Sequence, residues 1–191
     1  MTSILVAGPA VEPLSLTEVK TYLRLDNADD DALLGTLIAA ARSHIESVTR
    51  KAMISQQWKW VSDLWPEKGV SLPIGPFQEL IKISLFAPDG TETIWPLAEV
   101  VQDKQSGKCT IHLAATNSTL PRLRDHDAVE ITYQTGFGDA ASDVPEDLRL
   151  AMLRLIGHWY EHREAVMLAG SGAIIPTQFD QLIGTYCEVR L

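Results

Sequence analysis

The chain changes its hydrophobic period twice. Between Leu14 and Lys51 apolar residues recur every three or four positions. Ser15 and Glu18 have the spacing of a capping box, in which each side chain satisfies the other's free backbone N–H. The short helix this predicts turns Leu16, Val19, Tyr22 and Leu23 inward and ends near Leu25. Asp29, Asp30 and Asp31 then precede Leu33, Leu34, Leu37, Ile38, Ala41, Ile45 and Val48, one buried stripe on a helix of about five turns.

From Ile54 to Tyr133 the period drops to two. Trp58 and Trp60 alternate with Gln57 and Lys59, Ile81, Ile83 and Leu85 with Lys82 and Ser84, and Val129, Ile131 and Tyr133 with Glu130 and Thr132. Turn residues separate these runs: Pro73-Ile74-Gly75-Pro76, Pro88-Asp89-Gly90 and Ser106-Gly107. Asp89-Gly90 between Phe86 and Ile94 predicts a hairpin, because glycine tolerates the positive φ of a tight turn. About six short strands are expected, enough for a small antiparallel sandwich or barrel.

The helical period returns at Pro145, a residue accepted in a first helical turn because the N–H it lacks would be unpaired there. Asp143, Glu146 and Asp147 sit where the helix dipole favours negative charge. The stripe Leu148, Met152, Leu155, Trp159 and His162 follows, with His162 expected to border the core and His158 to lie on a flank. A glycine-containing stretch, Ala169-Gly170-Ser171-Gly172, leads through Pro176 to a short apolar segment holding Phe179, Leu182, Ile183 and Tyr186. Neither helical stretch can bury its stripe alone, so the Leu33–Val48 and Leu148–Trp159 stripes are each other's expected partners. The fold class is then α+β. Residues 13–51 and 142–164 form a small helical bundle, residues 54–135 an inserted antiparallel β-rich region, and residues 165–191 a flexible C-terminal segment.

Composition narrows the function. Of 191 residues, 46% are hydrophobic and 21% charged, as in a globular domain. Sixteen Lys and Arg against 25 Asp and Glu leave a formal net charge of −9, which argues against binding that depends on neutralising phosphates. Cys109 and Cys187 form neither a disulfide framework nor a zinc pattern, and a reducing, cytoplasmic folding compartment is expected. The opening residues lack a basic region and a long enough apolar run for a signal peptide. The longest uncharged stretch, Ala165–Phe179, falls short of the roughly 20 apolar residues a bilayer span needs.

Three motifs suggest chemistry and each has a plainer reading. Gly136-Phe137-Gly138-Asp139-Ala140-Ala141 matches a relaxed dinucleotide fingerprint, yet Asp139, Asp143, Glu146 and Asp147 crowd the helix end that would have to face a pyrophosphate. A strand-to-helix turn accounts for it better. His158 and His162 lie one turn apart, a spacing that can hold a metal, but the glutamate is misplaced for a zincin and no third ligand is suggested. Asp26 and Asp29–Asp31 lack the ligand spacing and bend glycine of a calcium loop, and capping of the following helix explains them. No nucleophile elbow or phosphate loop is present, and the five tryptophans read as core or interface residues. No catalytic residue, cofactor or metal is expected.

Taken in order, several segments resemble one family. Pro13-Leu14-Ser15-Leu16-Thr17-Glu18-Val19-Lys20-Thr21-Tyr22-Leu23-Arg24-Leu25, Asp29-Asp30-Asp31-Ala32-Leu33-Leu34 and Ala39-Ala40-Ala41-Arg42-Ser43-His44-Ile45-Glu46 are similar to the opening of the phage head–tail connector family. These are the head-completion adaptors of long-tailed phages, prophages and gene transfer agents. Leu72-Pro73-Ile74-Gly75-Pro76 resembles the family's mid-chain turn. Ile131-Thr132-Tyr133-Gln134-Thr135-Gly136-Phe137-Gly138, Val144-Pro145-Glu146-Asp147-Leu148-Arg149 and Trp159-Tyr160-Glu161-His162-Arg163-Glu164 resemble its second signature. Each motif is short; their order and separation carry the specificity, from about Pro13 to Glu164.

The resemblance implies a non-enzymatic structural subunit of a virion or transfer particle, assembled in the bacterial cytoplasm. Such subunits form a ring, typically of twelve copies. The ring links the portal to head-closure or tail-terminator proteins, around a channel through which DNA leaves without specific binding. It also implies that the C-terminal segment, residues 165–191, docks on the portal, here through Phe179, Leu182, Ile183 and Tyr186; the plainer alternative is that these residues pack back on their own subunit, as terminal helices often do. An acidic wall would let DNA slide, and Asp29, Asp30 and Asp31 are candidates to face the channel, with helix capping as their plainer role. Two alternatives remain beside this reading. One is a small metal-dependent or nucleotide-binding enzyme using His158, His162 and the Gly136–Gly138 turn. The other is a tail completion protein on the same fold.

Overall fold

The computed structural model describes residues 1–66, 68–105, 107–113, 120–162 and 177–187. The chain divides into two compact units, one of Met1–Pro9 with Ser55–Gly136, the other of Ala10–Ile54 with Phe137–Leu191. The first is β-rich and the second helical, so the fold is α+β.

The β-rich unit has two antiparallel sheets. Strands β1 (Thr2–Ala7), β2 (Gln56–Ser62), β3 (Val70–Ser71), β4 (Phe77–Phe86), β5 (Glu92–Ile94), β6 (Val100–Gln105), β7 (Lys108–Leu113) and β8 (Val129–Thr135) follow in chain order. One sheet runs β1-β2-β8-β4-β5 and the other β3-β7-β6. β8 is central and obeys the period of two throughout, with Val129, Ile131, Tyr133 and Thr135 buried on one side. β4 does not. Leu80 pairs with Tyr133 and Lys82 with Thr132, so Ile81 is an extra, bulged residue. The bulge puts Leu80, Ile83 and Leu85 inside and leaves Ile81, which the alternation expects to be buried, partly exposed. The Asp89-Gly90 hairpin forms between β4 and β5, with Gly90 at φ +85° and its N–H donated to Ala87 O at 2.9 Å.

β1 answers to no pattern in the sequence reading. It is an edge strand with five of its six residues exposed, so neither face shows the contrast that alternation detects.

In the helical unit the capping box forms as spaced: Ser15 Oγ accepts from the Glu18 N–H, and Glu18 accepts from the Ser15 N–H at 2.8 Å. It opens α1 (Leu16–Leu23), which ends at Arg24 in the left-handed region (φ 58°). Only Val19 of this helix is fully buried, and Tyr22, expected inside, is exposed. α2 (Asp31–Thr49) buries Leu34, Ile38, Ala41 and Ile45, then Thr49 instead of the expected Val48. Helical drift turns the stripe by one position, and Thr49 enters because its hydroxyl donates to Ile45 O at 2.7 Å. α3 (Glu146–Glu161), capped by Pro145, buries Leu148, Ala151, Met152, Leu155 and Ile156 and packs on α2, as the two stripes require.

α4 (Thr177–Gly184) closes the core. Phe179 and Ile183, one turn apart, are 1% and 2% exposed within it. The flexible docking segment expected over 165–191 lies in part, at 165–176 and 188–191, outside the described residues. Its described part is a helix whose apolar face already has a partner in the chain's own core. Among the described residues no helix is long and apolar enough to cross a membrane.

Candidate docking and channel surfaces

Of the four docking candidates, Phe179 and Ile183 are core residues. His44 of α2 places its ring 6.0 Å from Phe179 and 6.1 Å from Trp159, so three aromatic groups knit α2, α3 and α4 together. Leu182 and Tyr186 are half-buried beside them. The Tyr186 ring meets Phe137 edge-on at 6.3 Å, and burial, reinforced by the Asp147 carboxylate, pushes its phenol up. Leu182 and Tyr186 are therefore the candidates that keep a surface for another molecule.

The three aspartates separate. Asp29 is exposed and accepts from Asn27 Nδ2 at 3.0 Å. Asp30 stands at the N-cap of α2 but makes no side-chain cap bond; its carboxylate accepts from Tyr160 OH of α3 at 2.5 Å. Asp31 pairs with Lys20 of α1 at 2.8 Å. Instead of capping α2, the expected plain role, Asp30 and Asp31 tie its start to its two neighbours. Long-range partners of this kind leave no local spacing to read.

The remaining motifs also find places. Gly136 and Phe137 donate their N–H groups to Pro76 O and Met53 O, and Ala140 donates to Asp143 Oδ2 at 2.9 Å. The Asp143 carboxylate fills the space over Gly138, where a Cβ would lie 2.2 Å from it. Three of the turn's N–H groups are thus engaged, and a carboxylate stands where a pyrophosphate would have to come. The His158 and His162 rings lie 4.5 Å apart, tilted by 33°, with His162 Nδ1 3.0 Å from His158 O. His162 is the exposed C-cap of α3, a correction to its expected place at the core's border; the helix ends there and the stripe ends with it. Among the described residues no group of three His, Cys, Asp or Glu could hold a metal ion.

The sequence reading missed a groove of about 670 Å³ between α1 and α3. Leu14, Tyr22, Leu150 and Leu153 line it, and Glu18, Glu146, Asp147 and Arg149 supply its charge. Arg149 reaches Glu146 at 3.0 Å, Pro13 O at 3.3 Å and Glu18. The hydroxyl and N–H of Ser15, helped by Arg149, hold the Glu18 carboxyl below its usual range. The capping box was the one sign of this site in the sequence, since Arg149 is far away in the chain. A second depression of about 490 Å³ gathers Arg24, Arg154 and His158 with Glu161 where α1 and α3 end, a position that favours cations.

One unit is helical with its own core and the other is an antiparallel β unit, and the described surface grooves lie between helices. The profile of the head completion protein family matches residues 12–178, and the chain belongs to that family. It is a non-enzymatic structural head–tail connector. Three solved structures resemble it over their lengths, each covering 100% of this chain with 97% of their own. They are the neck of an empty gene transfer agent particle computed with C6 symmetry (TM-score 0.81, 28% identity), the virion of a native gene transfer agent particle (0.80, 27%) and the neck of a native particle computed with C12 symmetry (0.80, 27%). No curated protein matches by sequence.

Proposed function

We propose that this chain is one of twelve copies in a ring at the head–tail junction of a phage-like particle. The ring joins the portal to head-closure or tail-terminator proteins and surrounds the channel through which DNA leaves. The observation that carries this reading is the full-length likeness to a particle neck computed with C12 symmetry, at 27% identity. Family membership across residues 12–178 supports it independently of the coordinates. The chain's charge suits the channel: at −9 per copy, the wall of such a ring repels phosphates and denies DNA the cation contacts that create affinity.

On this reading the subunit is made in the bacterial cytoplasm and built into the particle there. Leu182 and Tyr186 meet the portal from the outer side of α4, while Phe179 and Ile183 hold that helix in place. Asp29, exposed, is the aspartate best able to face DNA, with Asp30 and Asp31 behind it.

Co-expression with the portal protein of the same particle tests the role. The expected result is a twelve-subunit ring on the portal, seen by electron microscopy and lost on replacing Leu182 and Tyr186 with Asp. A chain that never associates with portal, head-closure or tail components removes this function.

A further inference from the structure

The five-stranded sheet ends in two unlike edges. At one lies β1, six residues with no charge and no proline, whose Ile4, Leu5 and Val6 are 49%, 47% and 51% exposed. At the other lies β5, three residues long, whose Ile94 is 61% exposed, with Leu97, 38% exposed, three residues further along the chain. An uncharged, exposed edge strand is a template for another chain, and proteins usually blunt such edges with charge, proline or brevity. β1 carries one such device, a bulge at Val6 where the register steps from Leu5↔Trp58 to Ala7↔Gln57. Thr2–Leu5 stay in regular pairing with β2, and among the described residues no strand pairs with their other side.

Charge selects what covers these strips. Copies carrying −9 each repel, so they approach best where the surface has no charge of its own. The β1 strip has none. On the other edge, Glu92 is paired with Lys82 at 2.6 Å and accepts from Ser84 at 2.7 Å. The two strips occupy opposite edges of one sheet, so a contact between them is head-to-tail. Each added copy leaves one free edge of each kind, and such a contact closes into a ring when its rotation allows.

We infer that β1 of one copy docks on the β5 edge of the next, at Ile94, joining the sheets of neighbouring subunits. This rests on the ring reading above and names the surfaces that make it. A six-residue strand meeting a three-residue one makes a short contact, weak singly and strengthened by ring closure.

Cysteine cross-linking of the full chain tests it, with Cys187→Ser in every variant and buried Cys109 retained. Leu5→Cys and Ile94→Cys chains are treated with a short bismaleimide, separately and mixed. Dimers are expected from the mixture and not from either chain alone, and a ladder of oligomers from the doubly substituted chain. Leu5→Lys and Ile94→Lys should each raise the concentration for half-assembly at least tenfold, with circular dichroism unchanged. Dimers from Leu5→Cys alone would mean that β1 meets β1 and would overturn the inference. So would assembly that survives both lysine variants without mixed cross-links. Wild-type chain that stays monomeric in sedimentation at every concentration and salt, alone and with portal, would instead remove the ring reading and this contact with it.

Discussion

Arg42 shows how a single residue can organise a unit. Its guanidinium donates to Glu12 at 2.8 Å and to Glu46 at 3.0 Å, and Glu46 also accepts from the Met53 N–H at 2.8 Å. Burial alone would lower the Arg42 pKa; the two carboxylates outweigh it and raise it. Arg42→Ala leaves two carboxylates short of a partner and is expected to cost about 1–3 kcal/mol, read as a lower urea midpoint by helical circular dichroism. Glu18 gives a pH dependence of defined sign. Its folded pKa lies below the ordinary 4.5, so its contribution is complete above that value and is lost as pH falls through the folded one. Urea midpoints of the wild type should drop on acidification below about pH 4.5, and Glu18→Gln should flatten that drop. The Ser15–Glu18 pair was readable because its partners are three residues apart. The Glu12–Arg42 and Glu18–Arg149 pairs were not, because sequence distance says nothing about which charges meet after folding.

At the scale of elements, the period of the apolar residues decided most of the outcome. α2 and α3 pack by the stripes that announce them, and β8 alternates without a fault. The pattern fails where one residue alters the geometry, as at the Ile81 bulge and the exchange of Val48 for Thr49. It also fails at β1, whose exposed edge carries no contrast between faces. α4 tests how far packing holds a terminal helix. Phe179→Ala removes a ring 1% exposed and should cost about 3–5 kcal/mol where the site cannot collapse. Hydrogen exchange would then show amides of 177–187 opening well before those of α2, while uniform protection would mean that α4 does not depend on this anchor.

For the whole molecule, net charge and assembly oppose each other. Screening should favour association of copies that carry −9 each, so wild-type oligomers should grow with salt up to several Debye-length reductions and shrink at low ionic strength. Sedimentation at two salt concentrations checks this. On the proposed reading, in which Asp29 faces the channel, replacing it with Lys should slow DNA release from particles by adding a cation, and unchanged release would take that residue off the channel. The sequence by itself determined the α+β class, the helical stripes, the capping box and, through the order of short motifs, the family. All of these are local periods or fixed separations, which a linear string records directly. Only the tertiary structure decided that Phe179 and Ile183 are core, that Asp30 and Asp31 tie helices together, and that β1 and β5 end the same sheet. Those facts depend on which distant surfaces meet, and burial of apolar area is indifferent to the chain distance between them.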